Sequence, residues 1–302
     1  MKIVVITGAF SYTGKYATRL LLNRAYKIRT VTFHPERENE FGGKVEVFPY
    51  NFGDPAQLKR SLCGTSCLIN TYWVRFPHRD ATFDGAVRNT IKLINAAKNA
   101  GISRIVHVSN ANPSPGSPLA YHRGKAQLEQ AVINSGLSYS ILRPTVIFGQ
   151  EEILINNIAW FVRQLPLFGI PGDGCYCVRP IFVEDMARLI ASAVGKQTNE
   201  VIDAVGPETF TFEELVRRIA AKVDKSIHIV HMTGLLAYIS TRLAGLFVND
   251  VVLTWEEYKG LTGNLLAPQG QGTGETRLSP WLSQNSEHMG RHYCSGVERH
   301  YR

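Results

Sequence analysis

The sequence predicts an α/β fold built on a doubly wound parallel sheet, followed by a smaller, mostly helical C-terminal lobe. Three observations lead to this prediction. Short β-branched apolar runs alternate with helical patterns through the first half of the chain. These runs contain few polar positions, which is typical of parallel strands covered on both faces. The regular alternation stops near residue 150, where the helical patterns become longer.

Six apolar runs are predicted as strands of the sheet, and four helices lie between them. The predicted strands are 2–6, 27–33, 45–50, 67–72, 104–109 and 138–143. The predicted helices are 12–24, 55–62, 83–100 and 119–135. Sheets of this kind bind ligands beyond the carboxyl ends of their strands. The residues that end these strands are therefore the first candidates for function.

The domain organisation follows from the same pattern. Residues 1–150 are predicted to form the sheet domain, and 151–302 mostly a smaller lobe and a C-terminal tail. The segment 175–205 again reads strand–helix–strand and is expected to rejoin the sheet. The remaining helices are predicted at 212–223, 235–247 and 254–265, with a last helix or a partly frayed segment at 280–301, after a flexible linker or lid at 267–275.

The longest apolar stretch runs from residue 235 to 253. Arg242, Asn249 and Asp250 interrupt it, and its apolar residues have helical spacing with one polar face. The pattern favours an amphipathic helix packed onto the lobe over a segment that spans a membrane.

Composition narrows the class of protein further. The chain has 302 residues and a formal net charge of +8, with the excess of basic residues in 1–150. These residues are scattered, which argues against a nucleic-acid-binding stripe. They suit either a phosphate-bearing cofactor or anionic small-molecule substrate, or simply a soluble surface.

Cysteine and histidine spacing predicts neither disulfides nor a metal site. The five cysteines, an odd and scattered set, are Cys63, Cys67, Cys175, Cys177 and Cys294. They indicate reduced thiols, and since the first strand starts at residue 2 with no signal peptide before it, the cytoplasm is the expected location. The pair His288 and His292 has helical ligand spacing but lacks a third ligand.

The first strand leads into the most informative turn. It breaks at Gly8, and a helical pattern starts behind Gly14, which is the context of a dinucleotide-binding fingerprint. Gly8 gives the tight turn, Gly14 lets the helix approach the strand, and the amide groups can face a pyrophosphate. Ser11 stands at the middle glycine position. The cofactor-binding candidates of this turn are Gly8, Phe10, Ser11, Tyr12, Thr13 and Gly14.

Ser109, Tyr121 and Lys125, at the end of the fifth strand and on the helix behind it, suit acid–base chemistry. Tyr121 and Lys125 lie one helical turn apart on one face, and Ser109 ends the preceding strand. A nearby ammonium group favours the phenolate and brings a tyrosine, whose usual pKa is near 10, closer to neutral pH. The alternative is a tyrosine packed at the helix start with a solvated lysine.

Aromatic and amide side chains surround this predicted centre and favour a mid-sized, partly apolar substrate that carries oxygens. Those of the sheet domain are Asn70, Thr71, Tyr72, Trp73, Arg75, Asn110 and Asn112. Those expected to face the same cleft from the following lobe are Asn156, Asn157 and Trp160.

Taken in order, the motifs resemble the short-chain dehydrogenase/reductase superfamily, and within it the extended and atypical branch with NAD-dependent epimerase/dehydratases and NmrA-like proteins. The resemblance covers residues 1 to about 225 and implies a Rossmann-type fold that binds NAD or NADP. It places Ser109, Tyr121 and Lys125 on the catalytic positions, with Lys125 also holding the cofactor. The motifs are 7–14, 106–109, 121–125, 141–149, 180–187 and 206–212.

The chain departs from the family pattern at three places. Ser11 replaces a glycine, so its Cβ crowds the pyrophosphate while its hydroxyl offers a hydrogen bond. Asn51 replaces the aspartate that faces the adenine amino group, and its side-chain oxygen can still accept that bond. The second strand ends without the acid typical of NAD or the arginine typical of NADP. Since His34 or Arg37 could reach a 2′-phosphate, NADP is slightly favoured. The remaining cofactor-binding candidates are Phe52, Thr71, Tyr72 and Pro144.

Two functions remain open at this stage. The first is an oxidoreductase or epimerase/dehydratase-like enzyme that transfers hydride to or from a small carbonyl or alcohol substrate. The second is a non-catalytic NAD(P)-binding protein, like the NmrA-like regulators or the complex I accessory subunit of this branch. A homodimer or an accessory role in a larger complex, without nucleic acid or a membrane span, is the expected assembly.

Overall fold

A computed structural model describes residues 2–301 of the chain. Its central sheet has seven strands, and every neighbouring pair is parallel. In spatial order they are Glu200–Ala204 (β11), Ser138–Pro144 (β6), Arg104–Val108 (β5), Cys67–Asn70 (β4), Ile3–Thr7 (β1), Lys27–Thr32 (β2) and Val45–Pro49 (β3). The predicted doubly wound parallel sheet is thus confirmed.

Five helices belong to the same compact unit, which comprises residues 2–144 and Val183–Ala204. They are Tyr12–Asn23 (α1), Pro55–Leu62 (α2), Phe83–Asn99 (α3), Ala120–Asn134 (α4) and Val183–Val194 (α6). Asp54 and Thr82 cap α2 and α3 by accepting hydrogen bonds from amide groups of their first turns. Val5, Leu68 and Ile105 are fully buried, because helices cover the strands that carry them.

The second unit comprises residues 145–182 and 205–301. Three small sheets of two strands each occur in its described part. They pair Ile147–Phe148 (β7) with Ile181–Phe182 (β10), Leu167–Pro171 (β8) with His228–Met232 (β13), and Cys177–Val178 (β9) with Phe210–Thr211 (β12). The helices are Leu154–Gln164 (α5), Phe212–Lys222 (α7), Gly234–Val248 (α8), Trp255–Thr262 (α9), Leu278–Asn285 (α10) and Gly296–Tyr301 (α11).

Helix α8 packs differently from the sequence prediction. Its buried positions are Ala237 and Gly245, whereas Leu246 and Phe247 are 79% and 92% exposed. The prediction that the large apolar residues face the lobe is therefore wrong. The buried residues of α8 are small, and a Cβ on Gly245 would lie 2.6 Å from the carbonyl oxygen of Asp250, just beyond the C-terminal end of the same helix. None of the helices within residues 2–301 is long and apolar enough to cross a membrane.

Amide side chains on α5 fasten the C-terminal segment of this unit. Asn157 Nδ2 donates to the Cys294 carbonyl oxygen, and its Oδ1 accepts from the Cys294 amide, both at 2.9 Å. Asn156 accepts from the Gly290 amide, and Trp160 packs edge-on against Tyr293. Within this unit, Asn156, Asn157 and Trp160 thus contact the C-terminal segment, and their predicted cleft-facing role stays a prediction.

Candidate functional site

The turn between β1 and α1 depends on two glycines. Gly8 has a φ of 67°, a conformation that favours glycine. A Cβ on Gly14 would lie 2.0 Å from the Gly8 carbonyl oxygen, so any larger residue displaces the helix from the strand. The first-turn amide groups of α1 point toward the carboxyl edge of the sheet, where a pyrophosphate can accept from them.

Ser11 is the N-cap of helix α1. Its backbone is extended (φ −76°, ψ 167°), and its Oγ accepts from the Gly14 amide at 3.4 Å. This contact uses the hydroxyl oxygen as an acceptor and leaves its O–H to donate, so the hydrogen bond to a pyrophosphate stays a prediction. Among the neighbouring candidates, Phe10 stacks on Phe41, Tyr12 packs edge-on against Tyr16, and Thr13 is half-buried in the first turn.

Thr7 joins the carboxyl ends of β1 and β4. Its Oγ1 accepts from the amides of Thr71 and Tyr72 at 2.7 and 3.0 Å and lies 3.1 Å from Asn70 Oδ1. Asn70 Nδ2 in turn lies 3.0 Å from His107 Nδ1 on β5. This chain of polar contacts holds the predicted residues Thr71 and Tyr72 beside the glycine turn. Sequence reasoning missed this role of Thr7, although the residue stands directly before Gly8.

Four aromatic rings gather beyond the ends of β2, β3 and β4. Phe33, Tyr50, Phe52 and Tyr72 lie with ring centroids 4.6–5.9 Å apart, and Phe33 is 54% exposed. Burial raises the pKa of Tyr50 and Tyr72, so both stay protonated at neutral pH. The cluster offers a stacking surface for a flat ring. The sequence had identified only Phe52 and Tyr72 of these four.

Three polar candidates lie near the same edge. Asn51 is half-buried, and its Nδ2 donates to the Pro49 carbonyl oxygen at 3.4 Å. His34 is largely exposed. Partial desolvation of its ring and the positive charge of Arg37 lower its pKa from 6.5, so the imidazole is mostly neutral near pH 7. Arg37 is half-buried in the loop after β2. Its guanidinium is the permanent cation there that suits a 2′-phosphate.

Ser109 follows β5 directly and is only 4% exposed. Its backbone amide donates to the Leu142 carbonyl oxygen at 2.8 Å, but its Oγ has no hydrogen-bond partner among residues 2–301. The same holds for Oδ1 of Asn110, whose Nδ2 lies 3.0 Å from His122 Nδ1. Since buried polar groups normally have partners, these two oxygens are placed to bind a ligand or water.

Lys125 is buried on helix α4. Its Nζ donates to the Val108 carbonyl oxygen at 3.1 Å and lies 4.7 Å from the centroid of the Trp73 ring. Burial lowers its pKa to about 7, and Glu129 partly opposes this effect. The ammonium group uses one of its three N–H donors in this way, which leaves donors for hydroxyl groups of a ligand.

Tyr121 packs into an aromatic cluster rather than against Ser109. Its ring lies edge-on to Trp73 and Phe83, with centroids 5.6 and 5.7 Å away. Because Ser109 Oγ has no partner in the described chain, the Tyr121 hydroxyl does not bond it. The structure thus brings Lys125 close to the end of β5 beside Ser109, with Trp73 in contact with both Tyr121 and Lys125.

Residues at the carboxyl end of β6 contact the loop after β5 and helix α4. The Pro144 carbonyl oxygen accepts from the Ala111 amide at 2.9 Å, so the backbone of this candidate serves the loop after β5. Arg143 makes two hydrogen bonds to Glu129, which lies one helical turn after Lys125. Within residues 2–301, no group of three or more His, Cys, Asp or Glu side chains could hold a metal ion.

The residues present fit a nicotinamide dinucleotide. The glycine turn and the α1 N-terminus can take the pyrophosphate. The aromatic cluster offers a stacking surface that suits an adenine ring. Lys125 and the two unpartnered oxygens, Ser109 Oγ and Asn110 Oδ1, suit the polar nicotinamide and ribose end.

Comparison with known proteins agrees with this assignment. Residues 8–156 match the NAD(P)H-binding family. The chain is 26% identical over 225 residues to the mitochondrial NADH dehydrogenase [ubiquinone] 1 alpha subcomplex subunit 9 of Arabidopsis thaliana, a match that covers 70% of this chain and 56% of the plant protein. The chain thus spans little more than half the length of that relative.

Reductases are similar over more of their length. The NAD(P)H azoreductase of Xenophilus azovorans is 22% identical over 235 residues, covering 76% of this chain and 77% of the enzyme. Triphenylmethane reductase of Citrobacter sp., solved with NADP(H), superimposes with a TM-score of 0.77 at 17% identity, covering 94% of this chain and 99% of that one. Residues 8–156 thus match an NAD(P)H-binding family domain, and the structure shares its Rossmann-type fold with NAD(P)-binding reductases.

Proposed function

We propose that the chain is an NAD(P)H-dependent oxidoreductase that acts on a small carbonyl or alcohol substrate, with NADP slightly favoured as cofactor. The buried Ser109 Oγ without a protein partner carries this proposal. It lies one residue beyond the carbonyl that anchors the Lys125 ammonium group. A hydroxyl next to a buried cation is suited to bind a substrate oxygen on which negative charge develops.

The roles of the three residues follow from their chemistry. The nicotinamide, when bound, supplies or accepts the hydride. Ser109 donates a hydrogen bond to the substrate oxygen, and Tyr121 exchanges a proton with it. Lys125 holds the ribose hydroxyl groups with its remaining N–H donors, and in its protonated form, which its pKa of about 7 makes the larger fraction below neutral pH, its positive charge favours the phenolate form of Tyr121.

Kinetics of hydride transfer test the proposal. We expect the purified chain to oxidise NADPH in the presence of members of a panel of aldehydes, ketones and quinones. Ser109→Ala and Tyr121→Phe should each lower kcat by about a hundredfold or more without weakening NADPH binding. Tyr26→Phe, at the amino end of β2, is the matched control. Unchanged turnover in Tyr121→Phe removes the tyrosine from the mechanism.

Trp73 favours a second candidate, a non-catalytic NAD(P)-binding regulatory or accessory protein. The indole covers the helix face that carries Tyr121 and Lys125, and so limits their access to a substrate. The plant relative is named as a subunit of an NADH dehydrogenase complex. NADPH that raises the thermal midpoint while no substrate of the panel turns over supports this candidate over the first.

Location and assembly belong to the same proposal. We retain the cytoplasm as the proposed location, supported by free thiols on all five cysteines, which suit a reducing compartment. The mitochondrial relative makes the mitochondrion the alternative, and cell fractionation decides between the two locations. Light scattering of the purified chain distinguishes a homodimer from a monomer that joins a larger assembly.

A further inference from the structure

A series of buried hydrogen bonds crosses the carboxyl ends of β1, β4 and β5 and ends at His107. It begins at Thr7, whose Oγ1 accepts from the amides of Thr71 and Tyr72 at 2.7 and 3.0 Å. Because both lone pairs of this oxygen are occupied, its own O–H is the donor in the 3.1 Å contact with Asn70 Oδ1. The Tyr72 amide lies 3.3 Å from the same Oδ1. This atom of Asn70 is therefore an acceptor, and its Nδ2 is the donor.

The donor of Asn70 determines the tautomer of His107. Asn70 Nδ2 lies 3.0 Å from His107 Nδ1, so Nδ1 accepts a hydrogen bond and carries no proton. Burial and the positive charge of Lys125 lower the pKa of His107 to about 3, so the imidazole is neutral near pH 7. A neutral imidazole without a proton on Nδ1 has its proton on Nε2. His107 thus presents one N–H donor on the side of the ring that faces away from Asn70.

This donor and the hydroxyl of Ser109 are both buried without a protein partner. His107 is fully buried, and neither its Nε2 nor Ser109 Oγ has a hydrogen-bond partner in the described part of the chain. The parallel ladder continues one residue past β5, because the Ser109 amide donates to the Leu142 carbonyl oxygen. The side chains of residues 107 and 109 therefore lie on one face of the sheet, with Cα atoms about 6.5 Å apart.

We propose that one buried water molecule joins His107 Nε2 to Ser109 Oγ, and that His107 positions the serine hydroxyl through this water. Two buried polar atoms on one face that do not bond each other directly are the usual setting for an internal water. Lys125 lies beside the pair, because its Nζ donates to the carbonyl oxygen of Val108, the residue between them. Its remaining N–H groups can donate to the same water oxygen.

The hydrogen bonds of this series then all point in one direction. The water oxygen accepts from His107 and Lys125, so one of its own O–H groups donates to Ser109 Oγ. The serine O–H is left for the substrate oxygen. Successive donors that point one way polarise one another, which makes the serine a stronger donor to an oxygen on which negative charge develops. The inference rests on the proposed function in this last step alone.

Nitrogen-15 NMR of the histidine side chains tests the tautomer. We expect the resonances of His107, assigned by their loss in His107→Gln, to show the proton on Nε2 throughout pH 5–9. A high-resolution crystal structure should show a water within hydrogen-bond distance of both His107 Nε2 and Ser109 Oγ. A proton on Nδ1, or a direct contact of the two side chains in place of the water, would overturn the proposal.

Kinetics measure the positioning role. His107→Leu removes the donor and should lower kcat for carbonyl reduction about tenfold, less than the loss of Ser109 itself, while the Kd for NADPH stays unchanged. His107→Gln should restore most of the activity, because its amide can accept from Asn70 and donate to the water. The matched control is Ser61→Ala, which removes a buried hydroxyl of α2 that bonds the Leu58 carbonyl oxygen and should keep the kcat of the wild type.

A double-mutant cycle separates positioning from a structural role. If His107 acts through Ser109, His107→Leu should change kcat less than about twofold in the Ser109→Ala background. A tenfold loss in that background as well, or no recovery in His107→Gln, would assign His107 to packing of the sheet and contradict the proposal. A wild-type chain without any turnover contradicts the proposed function instead, and the histidine spectrum and the crystal structure then decide the present inference on their own.

Discussion

The indole of Trp73 lies directly against Gly124 on helix α4. A Cβ at position 124 would come within 2.9 Å of Trp73 Cη2 and 3.2 Å of a Val87 methyl carbon. Glycine thus permits the tryptophan to lie between Tyr121 and Lys125 and to contact both. Access to the predicted catalytic face therefore depends on the position of one side chain.

Gly124→Ala should displace Trp73 from the helix. The alanine gains helix propensity of about 1 kcal/mol but overpacks the contact by about 1–3 kcal/mol, so we expect a net loss of stability of about 1 kcal/mol. Intrinsic tryptophan fluorescence should change as the indole of Trp73 becomes more exposed. Comparison with Trp73→Phe identifies the part of the fluorescence that comes from Trp73. An unchanged spectrum in Gly124→Ala would show that the indole tolerates the methyl group in place.

The pH dependence of stability should report the burial of Lys125. Its folded pKa, lowered by burial to about 7, lies below the ordinary value of 10.5. The unfolded chain therefore binds more protons between these values, and the stability of the native state rises with pH across this window. The slope reaches up to about 1.4 kcal/mol per pH unit.

Urea unfolding of the wild type and Lys125→Met across pH 7–10 provides the measurement. The methionine variant lacks the titrating group, so its stability should lack this increase. The two curves should therefore differ most in slope, whatever their absolute offset. Parallel curves would mean that the buried lysine keeps an ordinary pKa.

The fold follows from sequence because parallel strands have a strong local signature. The runs 2–6 and 104–109 carry β-branched apolar residues at most of their central positions, and each is followed by a glycine turn or a polar residue at the carboxyl edge. The final strand, β11, pairs with β6 in the register Val201 to Ile141 and Ile202 to Leu142, although a long insertion separates the two in sequence.

Residues of the candidate site could be predicted only where their spacing along the chain follows a turn motif or a helical period. Gly8 and Gly14 follow from the turn, and Tyr121 and Lys125 from helical periodicity. The contact of Trp73 with Gly124 brings together residues that are distant in sequence, and no periodic pattern reports it. The prediction of which residues α8 buries was wrong for a related reason. In a helix that is apolar on most sides, the sequence pattern does not indicate whether the small or the large residues are buried.

Ser11 should act on helix stability more than on the pyrophosphate. Ser11→Ala removes the acceptor for the Gly14 amide and should cost about 1 kcal/mol, whereas Ser11→Gly should cost only a few tenths. Because the serine Cβ borders the predicted pyrophosphate position, Ser11→Gly should also bind NADPH at least as tightly as the wild type. Thermal unfolding and calorimetric titration measure the two effects separately. Weaker binding in Ser11→Gly would instead assign the hydroxyl to the cofactor.

Gly14→Ala should abolish NADPH binding. The new methyl group would lie 2.0 Å from the Gly8 carbonyl oxygen and 2.9 Å from Ser11 Oγ, and backbone at Gly8 cannot yield without opening the turn. We expect a loss of stability of about 2–3 kcal/mol together with a loss of affinity of roughly a hundredfold or more. Gly195→Ala is the matched control, because nothing lies within 4 Å of its new Cβ. Affinity measured at a temperature where both variants are fully folded separates the two effects. Wild-type affinity in folded Gly14→Ala would place the dinucleotide away from the β1–α1 turn.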